Sequence, residues 1–164
     1  MMAFEITAAV AALTCGLVAG FVFAFATVVM PGISTLADRD FLRAFQVVDA
    51  VIQRGQPLFG MVWLGSAVAV LLSLFLGVSE LAGLERVILI TAALTYLAGT
   101  QLTTVLINIP LNNELQGVDL EATGAEELRQ ARMRFEGRWN RWNVARTAVA
   151  TLVTAAYLLL LARI

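Results

Sequence analysis

The chain has 164 residues, 60% of them hydrophobic and 14% charged, with mean hydropathy +0.84 and net charge −1. Soluble domains carry about 25% charged residues, so the composition excludes an ordinary soluble domain and indicates one membrane domain at this length. All eleven basic residues are arginine and none forms a basic tract, which argues against a nucleic-acid partner. There is no histidine. That removes the usual ligands of zinc, copper, non-haem iron and haem, and the commonest general base. No metal and no cofactor are therefore expected. The lone Cys15 has no disulfide partner and reads as a small buried apolar residue.

Ile6 to Ala37 carries no charge, far longer than a signal-peptide core, and Glu5 stands where a cationic leader would begin. A first transmembrane helix is expected over about 5–29, containing a GxxxG pair, Gly16 and Gly20, that would let a neighbouring helix approach closely. Met30-Pro31-Gly32 should stop or turn that helix. Residues 38–54 place Phe41, Phe45, Val48 and Ile52 at helical spacing among charged residues. They predict an amphipathic helix, lying at the membrane interface or capping the bundle. Gln46 and Asp49 on it could belong to a pocket wall.

A second span is expected over about 57–78 and a third over about 87–108. Gln101, Thr104 and Asn108 stack along one face of the third, a stripe that must meet other helices or a cavity. Interhelical hydrogen bonding and ligand contact explain the stripe equally well. NIPLNNEL, residues 108–115, places Pro110 where it would break the helix, among Asn108, Asn112 and Asn113, whose amides could serve freed carbonyls or a ligand. After a loop over 116–124, a charged helix over about 124–143 should run straight into a last span over about 144–162.

GRWNRWNVAR, residues 137–146, opens that span. Helical spacing puts Trp139, Asn143 and Arg146 on one face and predicts that Trp142 stacks over Arg146. The sixteen uncharged residues 147–162 rise only ~24 Å, which places Arg146 near the membrane boundary or about a turn inside it. Snorkelling could satisfy an arginine there. The expected architecture is all-α, a four-span antiparallel bundle with an extra interfacial amphipathic helix and a long last helix extending into the cytoplasm. Nine of the eleven arginines fall in segments 30–56 and 109–146, so the positive-inside rule puts both termini outside an inner (plasma) membrane.

VVMPGISTL at 28–36, FLRAFQVVDAVIQ at 41–53, NIPLNNEL at 108–115 and RWNRWNVAR at 138–146 together resemble the anthrone-oxygenase-like family of small four-helix membrane proteins. The matched positions are Pro31, Asn108, Pro110, Leu111, Asn112, Trp139, Trp142, Asn143 and Arg146. The resemblance implies a family whose fungal members oxidise anthrone polyketides to anthraquinones with molecular oxygen. In principle this needs no metal, because an anthrone enolate can itself reduce oxygen. Without histidine, this chain does not fit a histidine-dependent version of that chemistry.

In the enzyme reading, a lipophilic aromatic substrate enters from the bilayer and stacks near Trp139 or Trp142. Arg146, Asn143 and Asn108 are then the catalytic candidates, stabilising an enolate or phenolate oxygen. Asn112, Gln101, Gln46 and Asp49 complete the substrate-binding set, with Asp49 the one carboxylate suited to accept a proton. The alternative is a non-catalytic membrane protein, one that holds a lipophilic small molecule or lipid, or one whose Asn/Trp/Arg motif only docks helices. A homo-oligomer is compatible with either.

Overall fold

The computed structural model describes residues 2–164. Among the described residues the chain forms five helices and no strand: α1 (Met2–Ile33), α2 (Asp38–Gln53), α3 (Pro57–Glu80), α4 (Gly83–Gln116) and α5 (Ala125–Leu161). All but α2 are long and apolar enough to cross a membrane, and the protein is an all-α membrane bundle. α1 packs along both α3 and α5, and α4 packs along the same two, which closes a ring of four. Large apolar side chains such as Leu13, Leu64, Phe75 and Leu152 cover its outside, the surface a bilayer would solvate.

Two apolar clusters fill the interior. Near the chain termini, Phe4, Cys15, Leu89, Tyr96 and Tyr157 pack together. At the opposite end Phe41, Phe45, Leu115, Leu128, Phe135 and Trp139 do so. Between these clusters lies a layer of buried polar residues: Thr100, Thr104 and Asn108 from α4, with Asn143 and Arg146 from α5.

Neither expected helix break falls at its proline. Pro31 lies inside the last turn of α1: the helix widens into a π-turn over Phe25–Val29, with the Met30 N–H reaching back to the Phe25 carbonyl, continues past the ring and ends at Ile33, just after Met30-Pro31-Gly32. Pro110 likewise does not end α4, which takes π-turns over Leu97–Leu102 and Thr104–Asn108 and runs to Gln116. The physical reason is shared. A proline ring collides with the carbonyl four residues back, and adding a residue to the preceding turn relieves the clash without ending the helix.

α2 begins with Asp38 and Asp40 in its first turn, where the helix dipole favours acids, and ends before Gly55, whose φ of +81° suits only glycine. It caps the bundle end, turning Phe41, Leu42 and Phe45 inward. Arg132 of α5 fastens its leading segment, donating to the Ser34 carbonyl at 2.7 Å, the Leu36 carbonyl at 2.9 Å and Asp38 at 3.1 Å. Its guanidinium also lies 4.3 Å over the Phe41 ring. Arg39 donates to the Leu120 carbonyl, and Arg43 pairs with Glu121.

The GxxxG pair does not act as one seam. Gly16 meets Thr154 of α5 at van der Waals distance, whereas Gly20 faces open space. The tightest approach is at Gly77 of α3, where an added Cβ would lie 2.5 Å from both Phe4 and Leu89.

Candidate functional site

The polar layer borders a cavity of about 130 Å3. α5 contributes Trp139, Asn143 and Arg146, which follow one another at the helical repeat and so share its inward face. α4 contributes Thr104, Asn108 and Asn112, and α2 contributes Phe45, Asp49 and Ile52. Phe21, Val22 and Phe25 of α1, with Phe59 and Trp63 of α3, complete the wall.

Arg146 does not snorkel to the surface. Its residue is 4% exposed, and it donates to Thr104 Oγ1 at 2.8 Å and Asn143 Oδ1 at 2.9 Å. Asn143 in turn donates to the Val22 carbonyl at 2.9 Å, one turn ahead of the π-turn in α1. No ion pair within 4.0 Å involves Arg146 among the described residues. Its Nε, and both amide atoms of the 2%-exposed Asn108, have no hydrogen-bond partner there. A buried guanidinium without a counter-charge, beside an unsatisfied amide, is costly. Such an arrangement favours an anionic or strongly polar oxygen between them.

Asp49, 4% exposed, stands on the α2 side of the same cavity. Its carboxylate accepts from Asn112 Nδ2 at 2.7 Å, Gln53 Nε2 at 2.6 Å and Gln116 Nε2 at 3.0 Å. Asn112 Oδ1 accepts from Trp139 Nε1 at 2.7 Å. The Trp139 indole is thereby fixed in orientation, and the Arg146 guanidinium lies 5.8 Å from its ring centre, within cation–π range.

The cavity thus gathers six of the nine residues expected from the sequence: Arg146, Asn143, Asn108, Trp139, Asn112 and Asp49. The other three lie outside its lining. Gln101 donates to the Trp63 carbonyl at 3.2 Å, Ser66 Oγ at 3.0 Å and Tyr96 Oη at 3.3 Å, and so joins helices. Gln46 donates to the Leu115 and Val118 carbonyls at 2.9 and 3.0 Å, pinning α2 to the end of α4. Trp142 is half-buried, and the ring facing Arg146 is that of Trp139. At 100° per residue, Trp142 lies about 60° around the helix from Trp139, on the flank of the inward face.

The aromatic wall was not legible in the sequence. Phe21, Phe25, Phe59 and Trp63 are aromatics in long apolar runs and Phe45 lies on the amphipathic α2, with nothing in the sequence to bring them together. Two of their ring contacts lie within a helix, at 5.0 Å (Phe21–Phe25) and 5.3 Å (Phe59–Trp63), whereas those at 5.1 Å (Phe21–Phe59), 5.7 Å (Phe25–Trp139) and 5.3 Å (Phe45–Trp139) exist only once helices meet. The faint signals were the i,i+4 spacings of Phe21 with Phe25 and of Phe59 with Trp63. Among the described residues no three carboxylate or thiol side chains come together as a metal-binding group.

The family model described as anthrone oxygenase matches residues 49–156, more than half of the chain. The chain belongs to the anthrone oxygenase family. Neither the curated proteins nor the solved structures gave a match. The matched stretch begins at Asp49 and runs through α3 and α4 into α5. It therefore holds every polar residue of the cavity, while the α1 wall and Phe45 precede it.

Proposed function

We propose that the cavity binds the ionisable oxygen of a lipophilic phenol or enol, and that this member of the anthrone oxygenase family is a cofactor-independent oxygenase. The observation that carries the reading is the buried Arg146 without a carboxylate partner, lining the same cavity as an Asn108 whose amide atoms are both unpartnered. An enolate or phenolate oxygen would supply the missing counter-charge and accept from both side chains. A dry, preorganised donor pair of this kind stabilises an oxyanion far better than water does.

The chemistry balances without a bound cofactor. Asp49, at the other side of the cavity, accepts the proton of the acidic C–H. The enolate carbon gives its electron pair to O2, forming a C–O bond and a hydroperoxide. Loss of the remaining C–H proton and cleavage of the O–O bond release water and leave a new carbonyl. One O2 is consumed and one water formed per ketone produced.

In this reading the α2 end of the bundle faces the cytoplasm across an inner membrane, with both termini outside; the excess of arginines in the connections at that end supports it. The partners of this reading are the bilayer and the lipophilic small molecule.

The test is oxygen uptake by the purified full chain with an anthrone, corrected for uncatalysed autoxidation, beside Arg146→Lys. Lysine keeps the charge but not the planar fork. The variant is expected to stay folded and to lose at least about tenfold in rate, equivalent to about 1.4 kcal/mol. Equal rates in the two proteins, or no uptake above background in the wild type, would overturn the oxygenase reading. Ligand-induced thermal stabilisation without oxygen uptake would leave a binding protein.

A further inference from the structure

The cavity is too small for a lipophilic molecule of more than one ring. An engineered cavity of about 150 Å3 accommodates benzene, and this one measures about 130 Å3. Beside it, between α1, α2 and α3, runs a second hollow of about 540 Å3 whose lining is almost wholly apolar, including Leu17, Val48, Val51 and Val62. The two hollows share four lining residues: Phe21, Ile52, Phe59 and Trp63. All four are half-buried, and what separates the hollows there is side chains, which change rotamer without disturbing a backbone ladder.

Resting on the reading above, we propose that the substrate is a phenol divided across this wall. One oxygen-bearing ring occupies the polar cavity, and an apolar extension at least as large passes Phe59 and Trp63 into the groove. Fused rings and an alkyl chain fill this space equally, since both are apolar bodies attached to a phenolic ring, but only a molecule with an acidic CH2 can undergo the oxygenation above; the alkylphenol tests binding alone. Lipid tails are as apolar as the groove, so the groove adds little affinity in a membrane. It acts by shape, as the space across the shared wall for the part of the molecule that the cavity excludes.

This predicts size exclusion rather than a gain in affinity. Phenol, a long-chain 4-alkylphenol and a hydroxyanthrone are titrated against the full chain in lipid nanodiscs, with binding read as occupancy by native mass spectrometry. Val48→Trp on α2 and Val62→Trp on α3 fill the groove from opposite sides, and neither residue lines the cavity. Both variants should bind phenol as the wild type does while losing about tenfold or more for the two extended phenols. Undiminished binding of the extended phenols in both variants would overturn the division, leaving the phenol site intact. Loss of phenol itself in both would also overturn it, because head and tail would not be separable. Failure of all three probes on the wild type would instead reject the phenol-binding reading on which the inference rests.

Discussion

Asn108 and Asn143 line the same cavity as Arg146 and yet have opposite bonding. Asn143 is committed at both ends, donating to the Val22 carbonyl and accepting from Arg146. Removing it leaves a buried guanidinium short of a partner, at a cost of about 1–3 kcal/mol. Asn108 gives nothing up, because neither amide atom has a protein partner. Asn143→Ala should therefore lower the melting temperature clearly, whereas Asn108→Leu, of similar volume, should leave it unchanged or raise it while abolishing stabilisation by a phenol. Thermal denaturation with and without ligand reads both. If Asn108→Leu unfolds as readily as Asn143→Ala, Asn108 is a structural residue. The sequence made both asparagines visible by helical spacing but could not separate them, since their difference lies in what faces them across the bundle. The same limit explains Gln101 and Gln46: polar residues on inward faces, bound to carbonyls of neighbouring helices rather than to the cavity.

The helices themselves were largely legible, because long uncharged runs have few alternatives in a bilayer. Their continuity was not. Pro31 and Pro110 read as breaks, but each is preceded by a widened turn that absorbs the ring. These widened turns lie at the cavity, at Phe25 and at Thr104–Asn108, where an inserted residue rotates the inward face of the helix. Glycine spacing was equally ambiguous. Gly77→Ala forces a Cβ to within 2.5 Å of the buried Phe4 and Leu89, and overpacking of this kind costs about 1–3 kcal/mol. Gly20→Ala meets nothing within 4 Å and should be neutral or slightly stabilising, as alanine is the better helix former. Melting temperatures of the two variants in one detergent check the pair. Equal effects would show that the α1–α3 approach near Gly77 is not tight.

The cavity is complete only when all five helices are in place, and α2 joins through a few specific bonds. Arg132 makes three of them, two to backbone carbonyls before α2 and one to Asp38. Arg132→Leu should release this segment, raising hydrogen exchange over residues 34–45 while α3 and α4 keep their protection. Unchanged exchange would mean that Phe41, Leu42 and Phe45 alone hold the cap. Assembly has an order as well as an outcome. The buried threonines and asparagine of α4 enter the bilayer before α5 is synthesised, and Arg146, the cation that meets Thr104, arrives with the final helix. Until then the side of this stripe that α5 closes stays open, and lipid is a costly partner for it. A chain cut short before α5 thus has an incomplete bundle with half of its polar layer uncovered, and should be markedly less stable in a membrane than the full one.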